Sequence, residues 1–403
     1  MRICDVNNFY SPTGGGVRVY HQRKLDHYAA QDEHAYALVV PGSRASIERR
    51  GAATIYEVPA LPAGGSGYRV IATRRHLRRV FADFQPDLVE IGSPYLLPLL
   101  VPGLLGPRVA TVGFVHADYP DTYVGPALGA GAAALARRHM RWIYGRMSAT
   151  FGASEQLLGK LAALGLRRLF HAPLGVEVDV FDPSRRSLEL RRAHGIADDE
   201  RLVLFMGRLS GEKGIADLLA VAPRFADAPG IRLAIAGHGP AAEAVAALAR
   251  AHPRILRIDA IAGREAVAAW MASAELFLAL GPHETFSLTT LESMAAGTPV
   301  VAPRSGGAAE LVDRFGFGLT FEPGSIDALE SAIRSVVGDV DGPGAGPAAA
   351  SRRAEIARHH AWPVVFARLT AAYARIVEAH RNNVIEALEA PRGWWPAAPG
   401  DPL

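Results

Sequence analysis

Gly281-Pro282-His283-Glu284-Thr285-Phe286-Ser287-Leu288-Thr289-Thr290-Leu291-Glu292-Ser293-Met294-Ala295-Ala296-Gly297-Thr298-Pro299-Val300 is the stretch that decides the fold. The apolar run 276–279 before it reads as a buried strand. A polar loop follows, then a helical pattern over 288–296, in which Leu291, Met294 and Ala295 face a core. Gly297-Thr298-Pro299 stops the helix, and Val300-Val301 starts another strand. Parallel strands need such a crossover helix, so the stretch is one β-α-β unit.

The same alternation extends in both directions. In the second half, strands are expected at 202–206, 232–236, 255–258, 276–279, 300–301 and 319–321. Helices fill 215–225, 241–251, 265–273, 288–296, 308–312 and 326–337. The first half gives strands at 2–6, 35–40, 54–58, 88–91, 109–115, 149–151 and 169–172. Its helices are expected at 17–30, 68–84, 126–147 and 155–164. A chain of 403 residues is too long for one ordinary core and suits two α/β domains. The join lies between Pro173 and Pro183, which sets domains at 1–175 and 176–363. A final helix starts near Val364, after Trp362-Pro363, within a segment 364–382. The Gly/Pro/Ala segment 338–350 reads as a surface loop. The tail 383–403 contains Trp394-Trp395 without periodicity and is either disordered or docked by those rings.

Composition narrows the function class. The chain is 49% hydrophobic and 21% charged, as in a globular enzyme. Cys4 is the sole cysteine, so no disulfide framework is possible, and a reducing cytoplasm is the expected location. Cys4 lies in the first apolar run and reads as a packed core residue. The first residues form a strand pattern without the apolar region of a signal peptide. The run 96–105 is too short to span a bilayer and carries Pro98 and Pro102. A net charge of +3 is weak support for nucleic-acid binding.

Four motifs carry chemistry. Gly14-Gly15-Gly16 follows the first strand and opens a helix, where free amides suit phosphate or sugar oxygens. The spacing is not that of a nicotinamide fingerprint, and an ordinary flexible turn is the competing reading. Arg18 lies in the first turn of that helix, either facing the same crevice or solvated. Phe114-Val115-His116-Ala117-Asp118 ends an apolar strand, and ligands bind at such ends in open α/β sheets. His116 can hydrogen-bond sugar hydroxyls; Asp118 can orient it or meet an acceptor.

Gly207-Arg208 with Lys213 forms a strand-end cradle for a diphosphate, Arg208 by bidentate contact and Lys213 as a point charge. Cations aimed at a departing diphosphate stabilise the transition state more than the ground state. In the opening stretch, Glu284 stands at the mouth of a helix, where the amides of Phe286, Ser287 and Leu288 meet an anion. Glu292, one turn into that helix, can accept from two vicinal ribose hydroxyls.

On these residues the chain resembles the retaining glycosyltransferases of family 4, which have the GT-B fold. The carriers are Gly14–Gly16, His116, Gly207-Arg208 with Lys213, Gly237-His238-Gly239, and Glu284 with Glu292 ahead of Ala295-Ala296-Gly297-Thr298-Pro299-Val300-Val301. They span most of residues 1–380. The resemblance implies two Rossmann-like domains facing each other across a cleft, with the last helix crossing back to the first. It implies an acceptor-side domain at 1–175 and a nucleotide-sugar domain at 176–363. Arg208 and Lys213 would hold the donor diphosphate and Glu292 the ribose. Glu284, with the 286–288 amides, would face the transferred sugar and its phosphate. His116 would stand near the anomeric centre, and Gly15 and Gly16 would close on the donor. It further implies retention of anomeric configuration, no cofactor and no required metal. Ser287 departs from the family, which has glycine there, and this bears on the identity of the sugar. Glu310 reads as structural.

The expected reaction moves a hexose from a UDP- or GDP-sugar, UDP being the more frequent in the family, to a glycan or lipid-linked hydroxyl. Two basic stretches bear on the acceptor. Arg74-Arg75-His76-Leu77-Arg78-Arg79 and Arg137-Arg138-His139-Met140-Arg141-Trp142-Ile143-Tyr144-Gly145-Arg146 read as helices with a basic face. Such faces suit the inner surface of an anionic membrane, or are simply solvated. The competing functions are an epimerase acting on nucleotide-sugars and, remotely, a nucleic-acid-binding module.

Overall fold

Parallel strands covered on both faces carry near-continuous apolar runs, and two groups of such runs build two sheets. The structure, a computed structural model, describes every residue except 12–13, 64–67, 227, 260, 339–345 and 389–403. The chain divides into one unit of Met1–Leu174 with Trp362–Leu403 and a second of Gly175–Ala361.

The first unit contains β1 (Arg2–Val6), β2 (Ala35–Gly42), β3 (Ser46–Arg50), β4 (Ala53–Pro59), β5 (Leu61–Pro62), β6 (Arg69–Val70), β7 (Leu88–Ile91), β8 (Ala110–Val115), β9 (Ala149–Gly152) and β10 (Leu169–His171). The main sheet runs β10-β9-β8-β7-β1-β2-β4-β3, with β5 and β6 paired apart. Its strands are parallel except β3, which is antiparallel to β4. The second unit contains β11 (Arg201–Met206), β12 (Ile231–Ala236), β13 (Ile255–Ile258), β14 (Leu276–Leu278), β15 (Val300–Pro303) and β16 (Gly318–Phe321). Its order is β13-β12-β11-β14-β15-β16, all parallel. Both sheets are doubly wound in the Rossmann manner, as the alternating pattern predicts. The winding reverses between β1 and β7 in one and between β11 and β14 in the other.

Helix Leu288–Ala295 is buried on nearly every side. It ends in a Schellman arrangement: Thr298 N–H donates to Ser293 O at 2.9 Å and Gly297 N–H to Met294 O at 3.1 Å. The last long helix, Trp362–Arg381, belongs to the first unit. It begins at Trp362 rather than near Val364, because Pro363 is tolerated in a first helical turn.

Several elements differ from the sequence reading. The helix expected from residue 68 starts at Arg74, behind the short strand Arg69–Val70. The helix expected over 126–147 is two, Gly125–Leu128 and Ala130–Tyr144, split at Gly129 with φ 85°. Strand Ser46–Arg50 was not foreseen; all five residues are exposed, so no apolar alternation marks it. Of the loop expected at 338–350, residues 346–350 belong to helix Gly346–His360, whose first turn is alanine-rich, and 339–345 lie outside the described residues. The Trp394-Trp395 tail also lies outside them.

Candidate active site

In an open α/β sheet the ligand crevice lies beyond the carboxyl ends of the two strands where the winding reverses. In the second unit those strands are β11 and β14. β11 delivers Gly207 and the exposed Arg208, then a tight turn Gly211–Lys213. Gly214 follows with φ 71°, and a Cβ there would lie 2.3 Å from Leu280 O, so only glycine lets the turn lie against the end of β14. That approach brings the Lys213 ammonium into an ion pair with Glu284 Oε1. Lys213 and Glu284 are both partly exposed and open to a ligand.

Both loops are fixed from behind. Leu209 N–H donates to His238 O at 2.8 Å, and Gly207 N–H to Ala236 O at 3.0 Å. Gly237 has φ 140°, and a Cβ on it would sit 1.8 Å from Gly207 O, which explains Gly237-His238-Gly239 as the support for the Arg208 loop. The Glu284 loop is held by the next crossover. Gly307 N–H donates to Glu284 O at 2.7 Å and Ser305 Oγ–H to Pro282 O at 2.8 Å.

Ser287 starts helix Leu288–Ala295 with φ 76° and ψ 81°. This left-handed conformation costs a non-glycine residue roughly 1–2 kcal/mol. Its buried Oγ lies 2.9 Å from Thr290 Oγ1. Among the described residues, the amides of Phe286, Ser287 and Leu288 donate to no protein acceptor. They are the orphan donors of a helix N-terminus and suit an anion.

Glu292 is 3% exposed. Its Oε1 accepts from Arg264 Nη2 at 2.7 Å. The Arg264 guanidinium also grips Glu177 at 3.0 and 2.6 Å and lies 4.6 Å over the Phe181 ring. Burial pushes the Glu292 carboxyl up to about 7, against the pull of Arg264 and with a further push from Glu177. Lys213 and Glu284 touch one another, while the Glu292 carboxylate turns to Arg264, which Glu177 also holds. The sequence reading missed both Arg264 and Glu177. One signal was available: Arg264 opens helix Arg264–Ser273, where a cation opposes the helix dipole and needs acidic company.

Gly15, Gly16, Arg18, His116 and Asp118 lie in the first unit. Helix Gly16–Ala29 begins at the glycine run, and Arg18 N–H donates to Gly15 O at 3.0 Å. His116 stacks on Phe114 with ring centres 4.4 Å apart. Burial, then the neighbouring His21, hold its imidazole well below the ordinary range, so it is neutral at physiological pH. Asp118 does not orient it: its carboxylate pairs with Lys160 at 2.6 Å.

Beneath this end of the sheet lies a buried polar cluster. Asp5 and Glu90 are register partners on neighbouring strands, and the fully buried Lys24 reaches them at 2.8 and 3.3 Å. Tyr373, from the last helix, donates to Glu90 and accepts from Lys24 at 2.8 Å. Burial and the Asp5 charge push Glu90 up to about 7. Asp5 also faces His21 Nδ1 at 3.3 Å, and His21 Nε2 lies 2.8 Å from Asn7 Nδ2.

Comparison with known proteins gives the family and the fold. The family described as "Glycosyltransferase Family 4" matches residues 14–180, and "Glycosyl transferases group 1" matches 187–343. The GDP-mannose-dependent alpha-(1-6)-phosphatidylinositol dimannoside mannosyltransferase of Mycobacterium tuberculosis (strain ATCC 25177 / H37Ra) is 33% identical over 356 residues, 84% of this chain and 88% of that protein. A GDP-mannose-dependent alpha-mannosyltransferase of Mycolicibacterium smegmatis is 30% identical over 393 residues, 94% of this chain and 98% of that protein. Among solved structures, sucrose-phosphate synthase from Thermosynechococcus elongatus superposes with a TM-score of 0.77 at 18% identity, over 94% of this chain and 100% of that one. Anabaena HepE in complex with UDP-glucose gives 0.72 at 17%, over 93% and 100%. At these identities the structures speak for the fold.

Proposed function

Since the chain belongs to glycosyltransferase family 4, and is a retaining glycosyltransferase with a nucleotide-sugar donor, we propose that the donor is GDP-mannose and the acceptor a mannosylated phosphatidylinositol or similar glycolipid. The GDP-mannose dependence in the names of the two mycobacterial relatives supports GDP over the UDP that family frequency favours. The observation that carries the site is the Lys213–Glu284 pair at the β11–β14 switch point, beside the unpartnered amides of Phe286, Ser287 and Leu288.

In this reading Arg208, Lys213 and those amides hold the diphosphate, and Glu292 accepts from the ribose hydroxyls. Gly207, Gly15 and Gly16 allow close approach of backbone to the donor. The bond between the anomeric carbon and the phosphate oxygen breaks, and the acceptor oxygen bonds to that carbon on the same face. The acceptor proton passes to a phosphate oxygen, and the nucleoside diphosphate leaves. Glu284 orients the transferred sugar, and the neutral His116 hydrogen-bonds it. Arg18 and Asp118 serve the acceptor side. No metal is required, so turnover is expected to persist in EDTA. The test is transfer from radiolabelled GDP-mannose to phosphatidylinositol mannosides, against UDP-glucose as competing donor. Transfer from UDP-glucose alone would overturn the donor assignment.

We extend the proposal to a peripheral membrane contact through the first unit. Leu128 and Leu135 are 73% and 69% exposed, and Trp142, also exposed, lies under Arg146 at 4.0 Å. Leu135, Arg138 and Trp142 follow helical spacing on one outer face of helix Ala130–Tyr144. Helix Arg74–Phe84 exposes Arg74, Arg75, Arg78 and Arg79, and Arg74 donates to Leu99 O at 3.2 Å. Exposed apolar side chains among arginines suit an anionic lipid surface. No helix among the described residues is long and apolar enough to cross a membrane. Flotation with anionic vesicles at low salt is expected; equal recovery with neutral vesicles would contradict it.

A further inference from the structure

Glu292 is buried, yet in the proposed function it must present a charged oxygen to a ribose. A buried carboxylate is costly unless paired. Its partner comes from a different element, helix Arg264–Ser273. Arg264 uses Nε and Nη2 on the two oxygens of Glu177, at 3.0 and 2.6 Å, which fixes the guanidinium plane. The Phe181 ring, 4.6 Å away, backs the same plane. Nη2 also reaches Glu292 Oε1 at 2.7 Å. Among the described residues, Glu292 Oε2 has no protein partner.

We infer that Arg264 is a positioning residue for donor binding: anchored by Glu177 and Phe181, it holds Glu292 by one oxygen and leaves the other for the ribose diol of the nucleotide. This rests on the reading of Glu292 as the ribose acceptor. Arg264 need not touch the donor. It acts by keeping the carboxylate charged and turned, so its loss falls on recognition of the ribose hydroxyls and spares the chemistry at the sugar. A lysine in its place restores the charge without the fork and recovers part of the effect.

The experiment is calorimetric titration of the full-length protein with GDP and with 2′-deoxy-GDP. Wild type should prefer GDP by about tenfold or more, the scale of a hydrogen bond to a charged group. Arg264→Gln should weaken GDP by about ten- to a hundredfold while barely changing 2′-deoxy-GDP, so the preference collapses. Glu177→Gln should reduce the preference partly, and Arg264→Lys should lie between wild type and Arg264→Gln. In turnover, donor KM should rise with kcat within about threefold. If Arg264→Gln does not fold, Arg264→Lys decides, and a wild-type preference in it overturns the inference. Glu292→Gln separates the two levels. A preference lost in Glu292→Gln but kept in Arg264→Gln sinks the role of Arg264 alone; a preference kept in both sinks the ribose reading itself.

Discussion

The Lys213 ammonium and the Glu284 carboxylate meet across the gap between the ends of β11 and β14, 71 residues apart in sequence. Each neutralises the other at the point where a diphosphate and its sugar are proposed to bind. An arriving diphosphate offers Lys213 a more highly charged partner and frees Glu284 for the sugar. Because the pair is partly exposed, it contributes no more than about 1 kcal/mol to stability. Lys213→Ala and Glu284→Ala should therefore leave the melting temperature within a few degrees of wild type. The turnover of each should fall by about 10²–10³ or more, the scale for removing a preorganised charge. Near-normal transfer by both variants would remove the site.

Ser287 gives a second test, because its strain and its hydrogen bond oppose each other. Ser287→Gly removes the left-handed penalty and also the Oγ contact with Thr290, so stability should change by less than about 1 kcal/mol. Ser287→Ala keeps the backbone strain and loses the contact, so it should be less stable by about 1 kcal/mol. Thermal melts of the two variants should rank glycine above alanine. The opposite rank would mean that φ near 76° is not strained in this loop.

Donor binding should also respond to pH through Glu292. The charged groups that bear on its carboxyl are Arg264 and Glu177, and burial pushes it up to about 7. Only the ionised carboxylate accepts fully from two hydroxyls. GDP affinity should therefore rise as pH increases through 7, and the rise should be smaller in Glu292→Gln, where only the terminal phosphate of GDP ionises in this range. An identical pH profile in both proteins would show that Glu292 does not titrate with binding.

In the first unit, Lys24 is the only cation among the described groups that contact both Asp5 and Glu90. Lys24→Met takes the shared cation away from two buried acids and should cost about 3–5 kcal/mol, seen as a lower urea midpoint. Tyr373→Phe should cost about 1–3 kcal/mol by breaking the bond that ties the last helix to Glu90. Glu90 itself gives stability a sign. Its folded value of about 7 exceeds the ordinary 4.5, so the folded chain holds the proton more tightly. Its contribution is complete below about 4.5 and is lost as pH rises through 7. Glu90→Gln should flatten that part of the stability profile; an unchanged slope would place the proton elsewhere.

The sheets were legible because buried parallel strands leave short apolar runs between helical ones, as Leu276–Leu278 and Val300–Pro303 do on either side of helix Leu288–Ala295. Gly214 and Gly237 each fall between an expected strand and the helix after it, although only the structure shows which carbonyl each avoids. Strand Ser46–Arg50 left no trace, since an exposed edge strand buries no face. The Arg264–Glu177 contact joins residues 87 apart, and no local pattern encodes a pairing at that range. The Asp118–Lys160 pair replaced the expected link to His116 for the same reason: a lysine 42 residues downstream competes for the carboxylate.

The β11–β14 switch point is the proposed seat of the nucleotide-sugar. A crystal structure of the protein soaked with GDP-mannose decides it. The pyrophosphate is expected against Arg208, Lys213 and the amides of Phe286 to Leu288, with the ribose on Glu292 Oε2 and Arg264 still on Oε1. Nucleotide density at any other strand end, with the Lys213–Glu284 pair undisturbed, would contradict it.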